Sequence, residues 1–222
     1  MRSSLTVENY VKAIYTICAR SDEPATTGAI AEALSVSPGA VSSMLKTLSE
    51  SGLAEYTPYE GVRLTEPGRA LALRVVRRHR LIELFLARTL EMTWDEVHEE
   101  AEHMEHAVSD RLIDRIDRFL DFPAADPHGD PIPQADGSIP AAAATLSLGE
   151  WPEGERFRLV RVLDQSPAFL RFLSKTGLSI DAVGRVRERL PEAGVLDVEV
   201  DGNSVTLAQE AALKLMCESP GE

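Results

Sequence analysis

The sequence predicts a mainly α protein with a small β component, arranged as three successive units. Near the N-terminus, two short helices flank a tight turn and lead into a β hairpin, which outlines a winged helix-turn-helix. Residues 79–106 then hold four of the five histidines, interleaved with glutamates at helical spacing. Beyond a proline-rich stretch, alternating apolar and polar residues mark a small, mostly β, barrel-like module.

In chain order, Tyr10, Val11, Ile14, Tyr15, Ile17 and Cys18 give residues 5–19 the spacing of a first helix, which Ser21-Asp22-Glu23-Pro24 breaks. Thr26-Thr27-Gly28 opens a short helix through Leu34, and Ser35-Val36-Ser37 forms the tight turn. Pro38 suits the first turn of the next helix, which runs from Gly39 to Glu50 and stops at Gly52. Leu53–Tyr56 and Val62–Leu64 read as the hairpin strands. A long helix starts at Thr65-Glu66-Pro67-Gly68, and a second helix is expected from Leu81 to Leu90. Thr93-Trp94-Asp95-Glu96 resembles a capping box before a His/Glu-rich helix. From Ala107 to Leu120, Val108, Leu112, Ile113, Ile116, Phe119 and Leu120 form an apolar stripe, either core or dimer seam. Residues 121–144 turn abruptly to Pro, Gly, Asp and Ala, the composition of a semi-rigid linker. Phe157–Leu163, Val195–Val200 and Val205–Leu207 read as strands, with a turn at Asp201-Gly202-Asn203 and a helix at Pro167–Lys175. The domain boundaries expected are 1–73, 74–122, a linker over 123–144, and 145–222.

No apolar run is long enough for a membrane span, and Met1-Arg2-Ser3-Ser4 leads into an amphipathic segment rather than a signal peptide. Cys18 and Cys217 alone give no disulfide framework, which fits a reducing, cytoplasmic setting; both read as small buried apolar residues. A formal charge of −13 excludes indiscriminate binding to nucleic acid or an anionic membrane. Residues 1–80, however, carry ten basic and eight acidic side chains, so the acid lies downstream and leaves room for a local DNA-reading surface. In a winged helix-turn-helix the second helix enters the major groove. Ser37, Ser42 and Ser43 are placed to reach base edges, Lys46 and Thr47 to meet phosphates, and Arg63 to serve the wing. None of the serines is a bidentate base reader, so apolar contacts through Pro38 and Ala40 and DNA shape must share the selection. The competing use of such a module is protein contact.

On one continuous helix, His98, Glu102, Glu105 and His106 would stand at i, i+4, i+7 and i+8, all on one face. His79 and Glu83 repeat the i, i+4 spacing one helix earlier. One such pair is commonplace on a solvated acidic helix. Two within 28 residues, beside a DNA-reading module, point to a divalent transition metal. His103 lies about 140° around the helix from His98 and reads as a surface residue.

The stretches "VENYVKAIYTI", "IAEALSVSPGAVSSMLKTLSESGL", "LTEPGRALALRVVRRHRLIELFL", "WDEVHEEAEHMEHAVSD" and "DPHGDPIP" resemble the diphtheria-toxin-repressor family of metal-dependent bacterial regulators. They cover most of residues 5–133, and the last module is similar to the SH3-like, FeoA-like domain of longer, manganese-responsive members. The resemblance implies a homodimer that binds palindromic double-stranded DNA operators and represses metal-uptake genes when Mn(II) or Fe(II) is present. It implies a primary metal site of Glu102, Glu105 and His106, completed from the first helix at or beside Asn9, with Glu8 as the rival. An ancillary site falls on His79, Glu83 and His98, and three-domain members point further to Asp126, His128 and Asp164.

Oxygen donors with one imidazole suit Mn(II), with Fe(II) the alternative; sulfur would have favoured softer ions. Binding that favours the DNA-competent arrangement must reciprocally tighten DNA binding, by about 1–3 kcal/mol. A metal-dependent hydrolase, with Glu99 or Glu100 as base, is the rival from another class. HExxH, a nucleophile elbow and a phosphate-cradling loop are all missing from the sequence, and no enzyme is expected.

Overall fold

The computed structural model describes residues 4–21, 23–140 and 144–221, the side chain of Arg20 apart. Outside the described residues lie Met1–Ser3, Asp22 of the expected helix break, residues 141–143 of the expected linker, and Glu222. The chain divides into two compact units: 1–79 with 105–108 and 133–138, and 80–104 with 109–132 and 139–222.

The first unit contains α1 (Leu5–Ser21), α2 (Thr27–Leu34), α3 (Pro38–Glu50), β1 (Ala54–Thr57), β2 (Gly61–Leu64) and the start of α4 (Glu66–Leu90). Thr26 caps α2 by accepting from the Ala29 N–H, and Ser35 ends it in the left-handed region. Ser37 caps α3 in the same way through the Ala40 N–H, with Pro38 in the first turn. At the end of α3, Gly52 turns left-handed (φ +73°), and Leu53 N–H donates to Leu48 O at 2.9 Å, closing a Schellman motif. Tyr10, Val11 and Ile14 of α1 pack with Ile30, Val41, Leu45 and Leu48 in one core. The pose of the second helix of the motif is therefore set by α1. Strands β1 and β2 pair antiparallel, Ala54 with Leu64 through Thr57 with Gly61.

The second unit holds the rest of α4, α5 (Val97–Met104), α6 (Asp110–Phe119) and the C-terminal module. That module comprises β3 (Leu146–Ser147), β4 (Arg156–Val162), α7 (Pro167–Thr176), β5 (Val183–Leu190), β6 (Val195–Val200), β7 (Asn203–Ala208), α8 (Gln209–Ala212) and β8 (Leu215–Glu218). Its sheet runs β3-β8-β4-β5-β6-β7 with every pairing antiparallel, over a core that includes Phe157, Leu159, Leu170, Leu196 and Leu207. Burial pushes the Cys217 thiol up to about 12, as suits a small apolar core residue. Cys18 is half-buried.

Four sequence expectations are corrected. Residues 66–90 form one helix rather than two, because neither Gly nor Pro interrupts the run between His79 and Leu81. The His/Glu-rich helix stops at Met104, and residues 105–108 turn before Ser109 caps α6 through the Leu112 N–H. Glu105 and His106 therefore do not share a helical face with His98 and Glu102. The proline-rich stretch is not a bare spacer: Asp126 Oδ1 accepts from the backbone of His128 (2.8 Å) and Asp130 (3.0 Å), folding a tight loop, and Ile132 is buried. The barrel-like module is an open sheet among the described residues, and it contains β3, β5 and β8, which the alternation did not reveal. The apolar stripe also divides: Ile113, Ile116 and Leu120 are buried, whereas Leu112 and Phe119 are exposed.

A side chain at Gly68 would place a methyl 1.8 Å from the Leu53 carbonyl oxygen, at the seat of α4 against the hairpin. Gly68→Ala is expected to cost about 2–3 kcal/mol of stability in urea unfolding. A loss below about 0.5 kcal/mol would show that this contact yields easily.

Candidate metal centre and DNA-reading surface

Helix α1 presents Glu8, Asn9 and Lys12, the end of the first unit's share of α4 presents His79, and the 105–108 turn presents Glu105 and His106. Glu105 is fully buried. Its Oε2 accepts from Lys12 Nζ (2.7 Å) and lies 2.6 Å from His79 Nδ1, a separation that needs a proton between the two atoms. We assign that proton to His79. His106 Nδ1 lies 2.8 Å from Glu8 Oε2 and donates to it, so the His106 lone pair is on Nε2. Arg78 stands 3.7 Å from the same Glu8 oxygen.

Three electron-pair donors in this cluster are buried without a hydrogen-bond partner: Asn9 Oδ1, Glu105 Oε1 and His106 Nε2. Glu105 Oε1 and His106 Nε2 approach to 3.3 Å, but with the His106 proton spent on Glu8 the contact is not a hydrogen bond. An amide oxygen, a carboxylate oxygen and a neutral imidazole nitrogen are the donor types that a divalent cation takes. The residues present fit such an ion. Glu8 would then serve as the outer carboxylate that holds the imidazole in its ligating tautomer.

A second cluster lies wholly within the second unit. Glu83, Asp126 and His128 are all buried, and each offers a ligand atom within 4.8 Å of the others. His128 Nε2 donates to Trp94 O (2.8 Å), so its Nδ1 lone pair faces Glu83 Oε2 and Asp126 Oδ1, each 3.9 Å away, again without a hydrogen bond. His98 Nδ1 lies 3.1 Å from Glu83 Oε1, and His98 Nε2 lies 3.9 Å from Glu102 Oε1. Burial, and then the charges of Glu83 and Asp130, push the Asp126 carboxyl well above the usual carboxylate range against the opposing Arg80. The loop is seated on β4: Val162 N–H donates to His128 O (2.9 Å), and a side chain at Gly129 (φ +85°) would meet Val160 O at 2.0 Å. Trp94 stacks on His128 and donates from Nε1 to Ser174 Oγ of α7 (2.9 Å).

The structure places Asp164 elsewhere. It pairs with Lys214 at 2.8 Å and accepts from Ser166 N–H; these bonds outweigh its burial and hold its carboxyl below the usual range. His103 is exposed. Sequence reasoning missed Lys12 and Trp94; the i, i+3 spacing of Asn9 and Lys12 on α1 was the available signal for the former.

On α3, Ser37, Pro38, Ala40, Ser43, Lys46 and Thr47 are exposed, as is Arg63 on β2, whereas Ser42 is half-buried. Ser42 Oγ donates to Pro38 O (3.0 Å), Thr47 Oγ1 to Ser43 O (3.3 Å), and Ser37 Oγ is occupied as a cap. Much of the hydroxyl chemistry expected at the groove is spent inside the helix.

A winged helix-turn-helix followed by buried clusters of cation ligands defines a metal-dependent DNA-binding regulator. Residues 4–62 match the iron dependent repressor N-terminal DNA binding domain, residues 65–134 its metal binding and dimerisation domain, and residues 146–219 the FeoA domain. The chain is 32% identical to the iron-dependent repressor IdeR of Mycobacterium tuberculosis over 211 residues, covering 91% of this chain and 87% of that protein. It belongs to the iron-dependent repressor family of IdeR and the diphtheria toxin repressor, and is a metal-dependent transcriptional repressor that binds operator DNA as a dimer. Among solved structures, a manganese-dependent transcriptional repressor in complex with manganese superposes with a TM-score of 0.88 at 41% identity, covering 96% of this chain and all of that one. The manganese regulator SloR superposes with a TM-score of 0.78 at 36% identity, covering 96% and 98%. No helix among the described residues is long and apolar enough to cross a membrane.

If Glu8 orients His106, Glu8→Ala should weaken divalent-metal affinity about 10- to 100-fold, read by calorimetry, with the far-ultraviolet circular dichroism unchanged. Unaltered affinity would remove Glu8 from the centre.

Proposed function

We propose that this repressor senses Mn(II), through an ion held by Asn9 Oδ1, Glu105 and His106 Nε2, and that it acts in the cytoplasm on metal-uptake genes. The observation that carries this reading is the set of three buried lone pairs that have no proton donor. It is a set of oxygens with one imidazole and no sulfur. Mn(II) ranks lowest in intrinsic affinity and depends on such oxygen-rich sites for selection. The 41% identity to a manganese-dependent repressor, against 32% to IdeR, favours the same ion. Fe(II) is the alternative.

When bound, the ion supplies the positive charge that ties α1 to the 105–108 turn. The rest is work of the chain. Glu8 fixes the His106 tautomer, and Asn9 commits one face of α1 to the centre. Tyr10, Val11 and Ile14 on α1 hold α2 and α3 through their shared core, so the orientation of α3 follows α1. An ion that prefers this arrangement tightens operator binding to the same degree that DNA tightens ion binding. Glu83, Asp126 and His128, with His98 beside Glu83, form the proposed second site, and its loop is seated on the C-terminal module. His79, one turn before Glu83 on α4, is the imidazole on the other side of Glu105. Leu112, Phe119 and Phe122, all exposed in the matched dimerisation domain, are the proposed dimer seam. The role is regulatory rather than catalytic.

Operator binding titrated with Mn(II), Fe(II) and Zn(II), and repeated after exhaustive chelation, tests the sensor. Chelation should abolish specific binding, and activation by Fe(II) alone would defeat the manganese assignment. His106→Ala and Glu105→Ala should remove the metal response, while Glu102→Ala, at a ligand implied by the resemblance, tells whether α5 contributes. Lys46→Ala should weaken binding to all sequences alike and lower the salt slope by about one. A sequence-selective loss would mean that Lys46 reads a base.

A further inference from the structure

We infer that Lys12 is a built-in cation of the metal centre: its ammonium takes the place of a second ion beside Glu105 and His79, and so limits this cluster to one ion. The inference rests on the reading above that Asn9, Glu105 and His106 hold Mn(II).

The Glu105 carboxylate is used on both sides. Oε2 faces Lys12 Nζ at 2.7 Å and His79 Nδ1 at 2.6 Å, while Oε1 lies 3.3 Å from His106 Nε2 and makes no hydrogen bond. Lys12 Nζ also lies 3.0 Å from His79 Nδ1. A carboxylate that bridges two positive positions is the building block of dinuclear sites, whose ions stand about 3.5–4 Å apart. Here one of the two positions is filled by the chain itself. The Lys12 side chain is only 17% exposed, and that of Glu105 not at all, so water screens the pair poorly. Lys12 follows Asn9 by one turn of α1, and one helix face thus offers a ligand to one position and a fixed charge to the other. Repulsion between the ammonium and a dication keeps a second ion off Oε2. By sharing Glu105, Lys12 also weakens the hold on the first ion and raises the metal concentration at which the repressor loads.

The full-length protein and its variants are dialysed to equilibrium against Mn(II), and ions per chain are counted by elemental analysis. Lys12→Glu, which turns the fixed cation into a third ligand beside Glu105 and His79, should bind one more ion per chain than the wild type. Lys12→Arg should match the wild type. Equal counts in Lys12→Glu and the wild type overturn the inference, as does a gained ion in Lys12→Arg. Lys12→Gln covers the case in which Lys12→Glu fails to fold: with Glu105 no longer shared, its Mn(II) affinity should rise about tenfold or more, and an unchanged affinity overturns the inference. A wild-type protein that takes up no Mn(II) defeats the sensor reading as well, whereas normal wild-type loading without these gains defeats the role of Lys12 alone.

Discussion

Burying a lone pair away from any proton donor costs about 1–3 kcal/mol, and a charged acceptor costs more. Asn9 Oδ1, Glu105 Oε1 and His106 Nε2 each carry that cost, the last two 3.3 Å apart. The cost is built in, because the protons that might have relieved it are directed elsewhere: the Nδ1–H of His106 goes to Glu8, and Lys12 and His79 both serve the other oxygen of Glu105. A structural core has no use for such an arrangement, since placing proton donors against these atoms would be more stable. A sensor does, because the energy released when a cation arrives becomes available to bias the fold. The winged helix-turn-helix would be linked to that energy through α1, which carries Asn9 and, in the shared core, Tyr10, Val11 and Ile14.

The second cluster follows the same design with a different attachment. His128 spends its Nε2 proton on the Trp94 carbonyl, so Nδ1 is left to face Glu83 and Asp126. Burial first, and then the charges of Glu83 and Asp130, raise the Asp126 carboxyl against the opposing pull of Arg80. The loop that holds Asp126 and His128 is kept in place by β4 and by the close approach of Gly129 to Val160, so its ligands and the C-terminal sheet are one mechanical body within the second unit. An ion held by this cluster would therefore add to the stability of the module.

Much of this was legible in the sequence because it is written in local chemistry. Thr26, Ser37 and Gly52 mark the ends of α2 and α3 through caps that involve only near neighbours. The candidate residue types were legible too, since His and Glu at i, i+4 on α4 need no tertiary information. What escaped was set by distant partners. The break after Met104 has no Gly or Pro to announce it; Glu105 and His106 leave the helical path to meet Lys12, His79 and Glu8, more than 25 residues away in sequence. Lys12 escaped for the same reason: beyond its i, i+3 spacing from Asn9, its meaning is set by the distant Glu105 and His79. Strand β5, Val183–Leu190, is dominated by Arg and Glu on its exposed face, which masked its alternation. The Asn9 and Glu8 alternatives could not be told apart in the sequence, because adjacent residues on one helix differ in direction but not in period.

The surface of α3 explains why so much regulation is placed behind it. Pro38, Ala40 and Ser43 are small and allow close approach to a groove, but the hydroxyls of Ser42 and Thr47 donate back into the helix, and Ser37 is taken up by its cap. Few strong base-reading groups remain, and Lys46 and Arg63 contribute charge that recognises phosphate of any sequence. With a total charge of −13, unselective attachment to DNA is also weak. Specific affinity must then come from two half-sites engaged together with the helices correctly posed, and from DNA shape. Such a reader is sensitive to small changes in pose, because an orientation error is repeated at each half-site of a symmetric dimer. A modest preference of the ion for one arrangement is thereby amplified into a large difference in operator occupancy, and this is what a metal-gated repressor requires.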